Sequence, residues 1–221
     1  MKYIVTLFLI IVLLLTLSSC SLWYDHENNA VGFFNVGYSE SLNDAFIGAY
    51  NWDGTDEGMN ITIPKYYNNI KIKELGGYCG RGVPTPFEIL PAEEARNILC
   101  PNATEWSRVA HTATIVASSV QYLNFTVNIS KYIQEIENLD AGGIIVAEYV
   151  ENGETKYNVY VLTCYITCDE DNKTFYAKDG KLYLRDGDVL VEDIIYEDFD
   201  LEAHNEKYKD ETAWWYPFAR K

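Results

Sequence analysis

Positive charge is scarce in this sequence. Of 221 residues, 17 are Lys or Arg and 33 are Asp or Glu, which gives a formal net charge of −16 at neutral pH. Binding of nucleic-acid phosphates needs a concentration of basic residues, so this balance argues against a nucleic-acid partner. The sequence also lacks an H-E-x-x-H motif, a G-x-S-x-G motif and a glycine-rich phosphate loop. The motifs therefore indicate no catalytic residue and no cofactor.

Histidine is scarce too, with three residues. His26 lies near the N-terminus and His204 in an acidic stretch, which leaves His111 alone in the body of the chain, and a lone histidine is more often a packed or surface residue than a general base. The acidic segments 169–172 and 186–188 offer oxygen ligands, but neither has the spacing of a calcium-binding loop. Asx-turns, in which Asp or Asn binds its own backbone, explain both segments, so we predict no metal site.

An apolar segment opens the chain. Residues 4–15 are apolar apart from one threonine and follow the positive charge of Lys2, which is typical of a secretory signal and too short for a membrane span of ~20 residues. The next motif, Leu17-Ser18-Ser19-Cys20, resembles the lipobox of bacterial lipoproteins. That resemblance implies cleavage before Cys20, acylation of this cysteine, and anchoring on the extracytoplasmic face of a bacterial membrane. A plain signal peptide and an uncleaved anchor helix are the alternatives.

These features divide the chain into three segments. We predict a lipoprotein signal peptide at 1–19, the lipidated cysteine with a polar tether at 20–30, and a β-rich extracytoplasmic domain at 31–221. Cleavage would remove one charge, that of Lys2, and leave 16 basic and 33 acidic residues, a net charge of −17. Each buried methylene of an acyl chain contributes ~0.8 kcal/mol, so two or more chains would hold the protein without a polybasic stretch.

Beyond residue 31 apolar and polar residues alternate, and Val, Ile, Thr and Tyr are frequent. This period of two predicts strands, so we expect a mainly β chain of the α+β class with one or two short helices. The predicted strands are 31–38, 60–63, 70–75, 120–129, 144–150, 157–166, 182–184 and 189–196. Segment 106–119 favours a strand, although its alanines permit a helix. A Pro followed by acidic residues predicts a helix over 91–99, and Asn152-Gly153 predicts the tip of a hairpin.

Two segments of the chain resemble each other. Residues 61–75 align with residues 127–139, the second copy being two residues shorter, and each has a strand, a Pro/Ser-Lys-Tyr turn and an apolar segment ending in Leu. A coil of this kind cannot bury its own apolar face, so we expect it to stack on its neighbours. The segments Asn60-Ile-Thr-Ile-Pro64 and Ile70-Lys-Ile-Lys-Glu-Leu-Gly76 resemble the I-x-I-P … V-x-x-I-G unit of bacterial cell-surface leucine-rich-repeat proteins of the BspA type.

A third segment resembles another unit of that family. Residues 169–183 are similar to D-x-N-x-x-F-x-S-x-D-G-x-L-Y. The resemblance implies that Asn172 forms a turn, that Phe175 and Leu182 stack in the core, and that Asp179-Gly180 makes a tight reversal. The units do not recur at a steady period, so we expect a β-rich domain with degenerate leucine-rich-repeat-like units rather than a regular horseshoe. The resemblance also implies adhesion or surface recognition.

Four cysteines remain in the predicted mature domain. Cys164 and Cys168 lie four residues apart in a predicted strand, where they share a face but stand ~13 Å apart, too far for a disulfide. Cys79 and Cys100, which flank a loop rich in Gly and Pro, are the candidate disulfide pair. A four-cysteine zinc site would need paired C-x₂-C spacings, which are lacking, and free buried thiols are the alternative.

Three residues are candidate ligand contacts. Arg81 lies in a segment rich in Gly and Pro, where a fixed loop could present its guanidinium to a carboxylate or a sugar ring. An irregular loop in which Arg81 pairs with a nearby acid is the alternative. Trp214 and Trp215 lie in an aromatic C-terminal sequence, where exposed rings would stack on sugars or anchor a protein. Alternatively, this strand docks on the core.

These observations predict a lipid-anchored, non-enzymatic surface protein that binds a protein or a glycan. The alternative is a cell-envelope hydrolase or an accessory subunit of an envelope enzyme, for which two carboxyl groups within ~10 Å beside a Trp would be the sign. A structural envelope lipoprotein is a third hypothesis. A stripe of tyrosines on an open surface would favour binding.

Overall fold

The computed structural model describes residues 27–28, 34–39, 44–79, 83–85, 87–109, 117–136, 139–192, 194–209 and 215–217. Strands account for most of them, which confirms the predicted mainly β, α+β class. The strands are β1 Glu27–Asn28, β2 Phe34–Ser39, β3 Asp44–Trp52, β4 Asn60–Thr62, β5 Tyr66–Tyr67, β6 Ile70–Leu75, β7 Gly77–Cys79, β8 Val83–Thr85, β9 Phe87–Pro91, β10 Glu105–Val109, β11 Ser119–Ile129, β12 Glu135–Ile136, β13 Leu139–Asp140, β14 Gly143–Glu151, β15 Glu154–Cys168, β16 Phe175–Lys178, β17 Lys181–Leu184, β18 Val189–Leu190 and β19 Trp215–Pro217. The helices are α1 Glu93–Leu99, α2 Leu201–Lys207 and the 3₁₀ turn Glu57–Met59.

The first sheet, sheet A, is built around β3. One edge of β3 pairs with β2 in antiparallel fashion, while the other pairs in parallel first with β6 and then with β9. Residues 45–50 are all buried, because one face of β3 meets the main core and Phe46 on the other face packs against Gly37 and Gly77. β1, within the segment predicted to be a tether, pairs with β2.

The second sheet, sheet B, has the strand order β19-β10-β14-β15-β11-β4. β14 and β15 form the predicted hairpin, and its tip residues Asn152 and Gly153 have φ angles of 53° and 81°. This left-handed geometry is what a two-residue hairpin turn requires, so the hairpin prediction is confirmed. On its other edge β15 pairs in parallel with all of β11, from Ser119 opposite Asn158 to Ile129 opposite Cys168.

Two apolar cores lie on the two faces of sheet B. The main core fills the space between the sheets, where Trp52 of β3 meets Phe125 of β11 edge to face at 5.5 Å between ring centroids. The second core lies on the outer face of sheet B and contains Val109, Ile144, Val146, Val159, Val161, Ile195 and Leu201. The C-terminal segment with α2 therefore covers the outer face of sheet B.

The two copies of the internal repeat stack on each other. Ile61 of β4 pairs with Val127 of β11, and Val127 pairs with Ile166 of β15, all in parallel. Past the turn, Leu75 pairs with Ile136 rather than with the aligned Leu139, so the second copy is shorter than the alignment indicated. We call residues 60–75, 119–136 and 154–178 the first, second and third layers. The predicted stacking of the coils is confirmed.

Other elements agree with the sequence only in part. The helix predicted over 91–99 is α1, and the segment 106–119 begins as strand β10. The strand predicted over 189–196 is shorter in the structure: β18 ends at Leu190, Tyr196 makes an isolated parallel bridge with Cys164, and its hydroxyl donates to the Val191 carbonyl at 2.7 Å. Helix α2 was not predicted.

Candidate ligand-binding surface at the layer corner

The three layers turn at one corner of the molecule. The turns follow Ile63, Ile129 and Cys168, which lie in register. The Ile63 N–H donates to the Asn128 carbonyl at 3.1 Å, and the Asp169 N–H donates to the Ile129 carbonyl at 3.0 Å, so the pairing continues past the strands. We call the turn segments 64–67, 130–133 and 169–172 the layer corner.

Two tyrosines lie side by side on the layer corner. Tyr66 of the first layer and Tyr132 of the second follow the lysine in each copy of the repeat. Their ring centroids are 5.3 Å apart at an angle of 64°, and the Tyr66 hydroxyl donates to the Tyr132 hydroxyl at 3.0 Å. This hydrogen bond raises the pKa of Tyr66 above its usual value. Because Tyr66 is 47% exposed, the pair presents aromatic surface and hydroxyl groups to solvent.

Lysines surround the tyrosine pair. The Lys71 Nζ lies 4.9 Å from the Tyr132 ring centroid and the Lys131 Nζ lies 5.7 Å from it. The Lys131 ammonium is also 3.5 Å from Asp171 Oδ2, and its hydrogen bond to this carboxylate raises the pKa of Lys131. The layer corner therefore combines aromatic rings, ammonium groups and a carboxylate within one surface.

A groove of about 490 Å³ crosses the layer corner. Lys65 of the first layer lines one side and residues 169–171 of the third layer line the other. The Lys65 Nζ is 3.8 Å from Asp169 Oδ2, and the small Ser130 occupies the middle layer between them. The volume of the groove falls within the ~300–1,000 Å³ of small-ligand sites.

Asn172 fixes the third turn against the second. Its Nδ2 donates to the carbonyls of Ser130 at 2.9 Å and Ile133 at 3.0 Å, and its Oδ1 accepts from the N–H groups of Thr174 at 2.8 Å and Phe175 at 2.7 Å. The side chain is 1% exposed. The predicted turn at Asn172 is thus formed, and the Asp171 N–H bonded to Asp169 Oδ1 at 3.0 Å makes the predicted Asx-turn.

The remaining expectations for this segment also hold. Phe175 is 3% and Leu182 0% exposed, both within the main core. Asp179 and Gly180 have φ angles of 52° and 75° and connect β16 to β17. The sequence pattern of 169–183 therefore predicted the local geometry of these residues.

The candidate ligand contacts lie elsewhere or beyond the described residues. Arg81 and Trp214 lie outside the described residues, as do His111 and Cys20. Trp215 begins β19, where it pairs with Val109 at the edge of sheet B. The alternative in which the C-terminal strand docks on the domain therefore describes this segment, and the side chain of Trp215 is outside the described part.

The candidate disulfide is not formed in this structure. Cys100 is a buried free thiol, with its Sγ 3.4 Å from Asn102 Oδ1 and 3.7 Å from Asn158 Nδ2. Cys79 lies in β7, and its side chain is outside the described residues.

Cys164 and Cys168 are free thiols of the same strand, β15, as predicted. Burial raises the pKa of Cys164 to about 12 and that of Cys168 to about 11. Both sulfurs are therefore protonated, and weak nucleophiles, near neutral pH.

Across the described ranges no group of three His, Cys, Asp or Glu side chains is arranged to hold a metal ion.

The site residues expected from the sequence do not include those of the layer corner. The signal that could have found it is the Lys-Tyr pair shared by both repeat copies, Lys65-Tyr66 and Lys131-Tyr132, because stacked copies bring equivalent side chains together. Trp52 and Trp106, in contrast, serve the fold: Trp52 is 2% exposed and Trp106 stacks on Tyr160 at 5.6 Å between ring centroids.

A comparison of the chain with protein families, with curated proteins and with solved structures finds no match. Within the described part of the chain, neither helix has the length and the apolar character needed to cross a bilayer.

Proposed function

We propose that this chain is a lipid-anchored surface protein of a bacterium, held on the extracytoplasmic face of the membrane through Cys20, and that it binds a glycan at the layer corner. The lipobox resemblance of Leu17-Ser18-Ser19-Cys20 supports the anchor. The resemblance of the repeat units to BspA-type proteins supports surface recognition as the class of function, by analogy of fold.

The exposed Tyr66–Tyr132 pair is the observation that carries the binding proposal. Aromatic faces stack on the C–H faces of sugar rings, and Tyr hydroxyls remain available for hydrogen bonds at the same place. Lys71, Lys131 and Asp171 add ammonium donors and a carboxylate acceptor beside the rings. A sugar has apolar ring faces and many hydroxyl groups, so it fits this combination better than an apolar ligand does.

The hydrolase alternative has less support at this surface. The carboxylates beside the groove, Asp169, Glu170 and Asp171, follow one another on a single turn. Asp169 and Asp171 are each engaged by a lysine, and the described tryptophans Trp52 and Trp106 pack in the fold instead of lining the groove. A catalytic pair would instead need two opposed carboxyl groups with unequal pKa values.

A glycan array probed with the full-length chain in detergent tests the binding site. We expect binding to one class of glycan and a loss of at least ten-fold in Tyr66→Ala, because the exposed ring of the pair is removed. Tyr122→Ala is the matched control, since Tyr122 is 43% exposed on β11 outside the layer corner. Equal loss in both variants, or retention only by arrayed proteins, would refute the glycan site.

Palmitate labelling in a bacterial host tests the anchor. We expect label in the unaltered chain and none in Cys20→Ala, with the variant released from the membrane fraction. Cys168→Ala is the control, because its thiol lies within β15 and should not affect acylation. Label that persists in Cys20→Ala would show that this cysteine is not the acylated residue.

A further inference from the structure

A second pocket, which shares no residue with the layer corner, lies between residues 194–200 and helix α2. Its volume is about 420 Å³, and its walls include Tyr196, Phe199, His204 and Tyr208. Tyr196 is buried, whereas Phe199, His204 and Tyr208 are half-buried, so each of the latter offers part of its ring to the pocket. Four of the side chains that line this pocket are therefore aromatic.

The rings of this pocket are held in a fixed arrangement. His204 lies 5.3 Å from Phe199 and 4.9 Å from Tyr208 between centroids, with interplanar angles of 53° and 55°. His204 and Tyr208 are four residues apart and so occupy one face of α2 and its C-terminal end. Asp200 caps the helix by accepting from the N–H groups of Glu202 and Ala203, which fixes the helix relative to Phe199. The rings form a curved aromatic wall.

Two ammonium groups of the chain already lie against rings of this pocket, that of Lys181 at 5.6 Å from the Tyr196 ring centroid and that of Lys207 beside Tyr208. The Lys207 Nζ is 4.7 Å from the centroid of the Tyr208 ring, and Lys207 lines the pocket. Its hydrogen bond to Tyr208 and the charge of Glu192 raise the pKa of Lys207, so its charged form is favoured. An ammonium ion over an aromatic face is attracted by the negative charge of the ring face. Lys207 therefore occupies the place on the Tyr208 ring that a cationic ligand would take.

Acidic residues set the charge of the pocket. Glu192, Asp198 and Asp200 line it, against Lys207 as the one lysine among its lining residues. Asp198 is paired with Lys181 at 2.6 Å and Asp200 caps α2, which leaves Glu192 as the acid facing Lys207. Aromatic rings bind organic cations in proteins, and an acid beside the rings adds the attraction of an opposite charge.

We propose that this pocket binds a small organic ammonium ion, with the cation on the Tyr208 face in place of Lys207 and its methyl or methylene groups against Phe199 and His204. A quaternary ammonium fits best, because it carries positive charge over apolar methyl groups and has no N–H that must be satisfied. This proposal is independent of the glycan site, since the two surfaces share no residue.

Calorimetric titration of the full-length chain with choline tests the pocket. We expect choline to bind at least ten-fold more tightly than 3,3-dimethylbutan-1-ol, which has the same shape without the charge. Tyr208→Leu should weaken choline binding about five-fold by removing the ring face. Tyr176→Leu is the matched control, because Tyr176 also carries a cation, Arg185 at 5.7 Å, but lies in β16. Equal affinity for the neutral isostere, or no effect of Tyr208→Leu, would overturn the proposal.

Lys207→Ala distinguishes a pocket that binds a cation from one that serves only the fold. Removal of the competing ammonium should tighten choline binding several-fold, whereas loss of affinity or no change would contradict displacement of Lys207. Vesicles of phosphatidylcholine identify the source of the cation when every variant also carries Cys20→Ala, so that an acyl anchor does not retain the protein. Retention that falls in Tyr208→Leu indicates a lipid headgroup, and an effect on free choline alone indicates a soluble cation. An absence of both effects would overturn the proposal.

Discussion

Asn172 uses every hydrogen-bonding group of its side chain: its Nδ2 bonds the third layer to the second, and its Oδ1 fixes the turn within the third layer. Asn172→Ala would leave the carbonyls of Ser130 and Ile133 and two N–H groups without these partners, and each such buried group costs ~1–3 kcal/mol. We expect the free energy of unfolding to fall by about 4 kcal/mol. Urea denaturation followed by tryptophan fluorescence measures this change.

Two further variants separate hydrogen bonding from size at this position. Asn172→Asp keeps the volume and the acceptor but turns negative charge toward two carbonyl oxygens, so it should cost as much as Asn172→Ala or more. Asn97→Ala, at an exposed position of α1, should change the free energy of unfolding by less than ~0.5 kcal/mol. Similar values for Asn172→Ala and Asn97→Ala would contradict the role assigned to Asn172.

Two buried groups of β15 make the protein sensitive to alkali. Burial raises the pKa of Cys164 from 9.0 to about 12 and that of Tyr160 from 10.0 to about 12. Because both groups ionise at lower pH in the unfolded chain, the stability they contribute is complete below about pH 9 and is lost as the pH rises toward 12. We expect the free energy of unfolding to decline between these pH values in a series of urea titrations.

Tyr160→Phe isolates one of the two groups. Loss of the 2.8 Å hydrogen bond to the Leu99 carbonyl should cost ~1 kcal/mol at neutral pH. Between pH 10 and 12, however, the free energy of unfolding should decline less steeply in this variant than in the unaltered chain. Equal slopes would show that Tyr160 makes no contribution to the alkaline transition.

At the level of elements, two glycines in equivalent turns should respond differently to the same substitution. Gly153 and Gly180 have φ angles of 81° and 75°, so alanine is strained at both, by ~1 kcal/mol. A Cβ at Gly153 would meet no atom within 4 Å, whereas one at Gly180 would lie 2.4 Å from the Tyr165 ring. We expect losses of about 1 kcal/mol for Gly153→Ala and about 3 kcal/mol for Gly180→Ala.

Thermal unfolding of the two variants provides the measurement. Gly180→Ala combined with Tyr165→Ala should recover part of the loss, because the clashing ring is removed while the strained φ angle remains. A loss of the same size in Gly153→Ala and Gly180→Ala would show that the Tyr165 ring moves aside without cost.

The elements that could be predicted carry their signal locally. The β14–β15 hairpin follows from alternation around Asn152-Gly153, and the stack of layers follows from a pattern that occurs twice. β3 was missed because residues 45–50 are buried on both faces, so that its sequence does not alternate. α2 was missed because its acidic residues conceal a short apolar face, on which Leu201 enters the second core.

At the scale of the whole molecule, Arg108 joins the two sheets. It belongs to β10 of sheet B, and its guanidinium lies 3.3 Å from Glu88 of β9 in sheet A and donates to the Gly142 carbonyl at 2.7 Å. Arg108 is 8% exposed, so Arg108→Met would leave a poorly solvated carboxylate and carbonyl. We expect the free energy of unfolding to fall by about 3 kcal/mol in urea.

Lys131→Met is the matched control for Arg108→Met. It breaks an ion pair with the exposed Asp171, which should cost less than ~1 kcal/mol and should depend on salt. A smaller loss in Arg108→Met than in Lys131→Met would contradict the view that the buried pair holds the sheets together.

Contacts between the sheets were beyond prediction from the sequence. Trp52 meets Phe125, and Arg108 meets Glu88, only because sheets A and B pack face to face. No local sequence pattern predicts such a contact, because the residues around each partner carry no information about the residue that it contacts in the other sheet. The candidate site divides in the same way: the repeated Lys-Tyr pair is visible in the sequence, whereas the pocket around Tyr208 depends on how α2 docks.

The described residues include three free thiols, those of Cys100, Cys164 and Cys168, whose exposure to oxidants depends on how quickly the chain folds. In the folded protein Cys100 and Cys164 are buried, and the raised pKa values of Cys164 and Cys168 keep both thiols protonated. While the chain is still unfolded, the same sulfurs are open to oxidants, and the layers that shield them join parts of the chain far apart in sequence, a slow kind of assembly. In an oxidising medium, folding therefore competes with oxidation of the cysteines. A chain that forms its layers before oxidation keeps its thiols, whereas a chain that folds more slowly forms non-native disulfides.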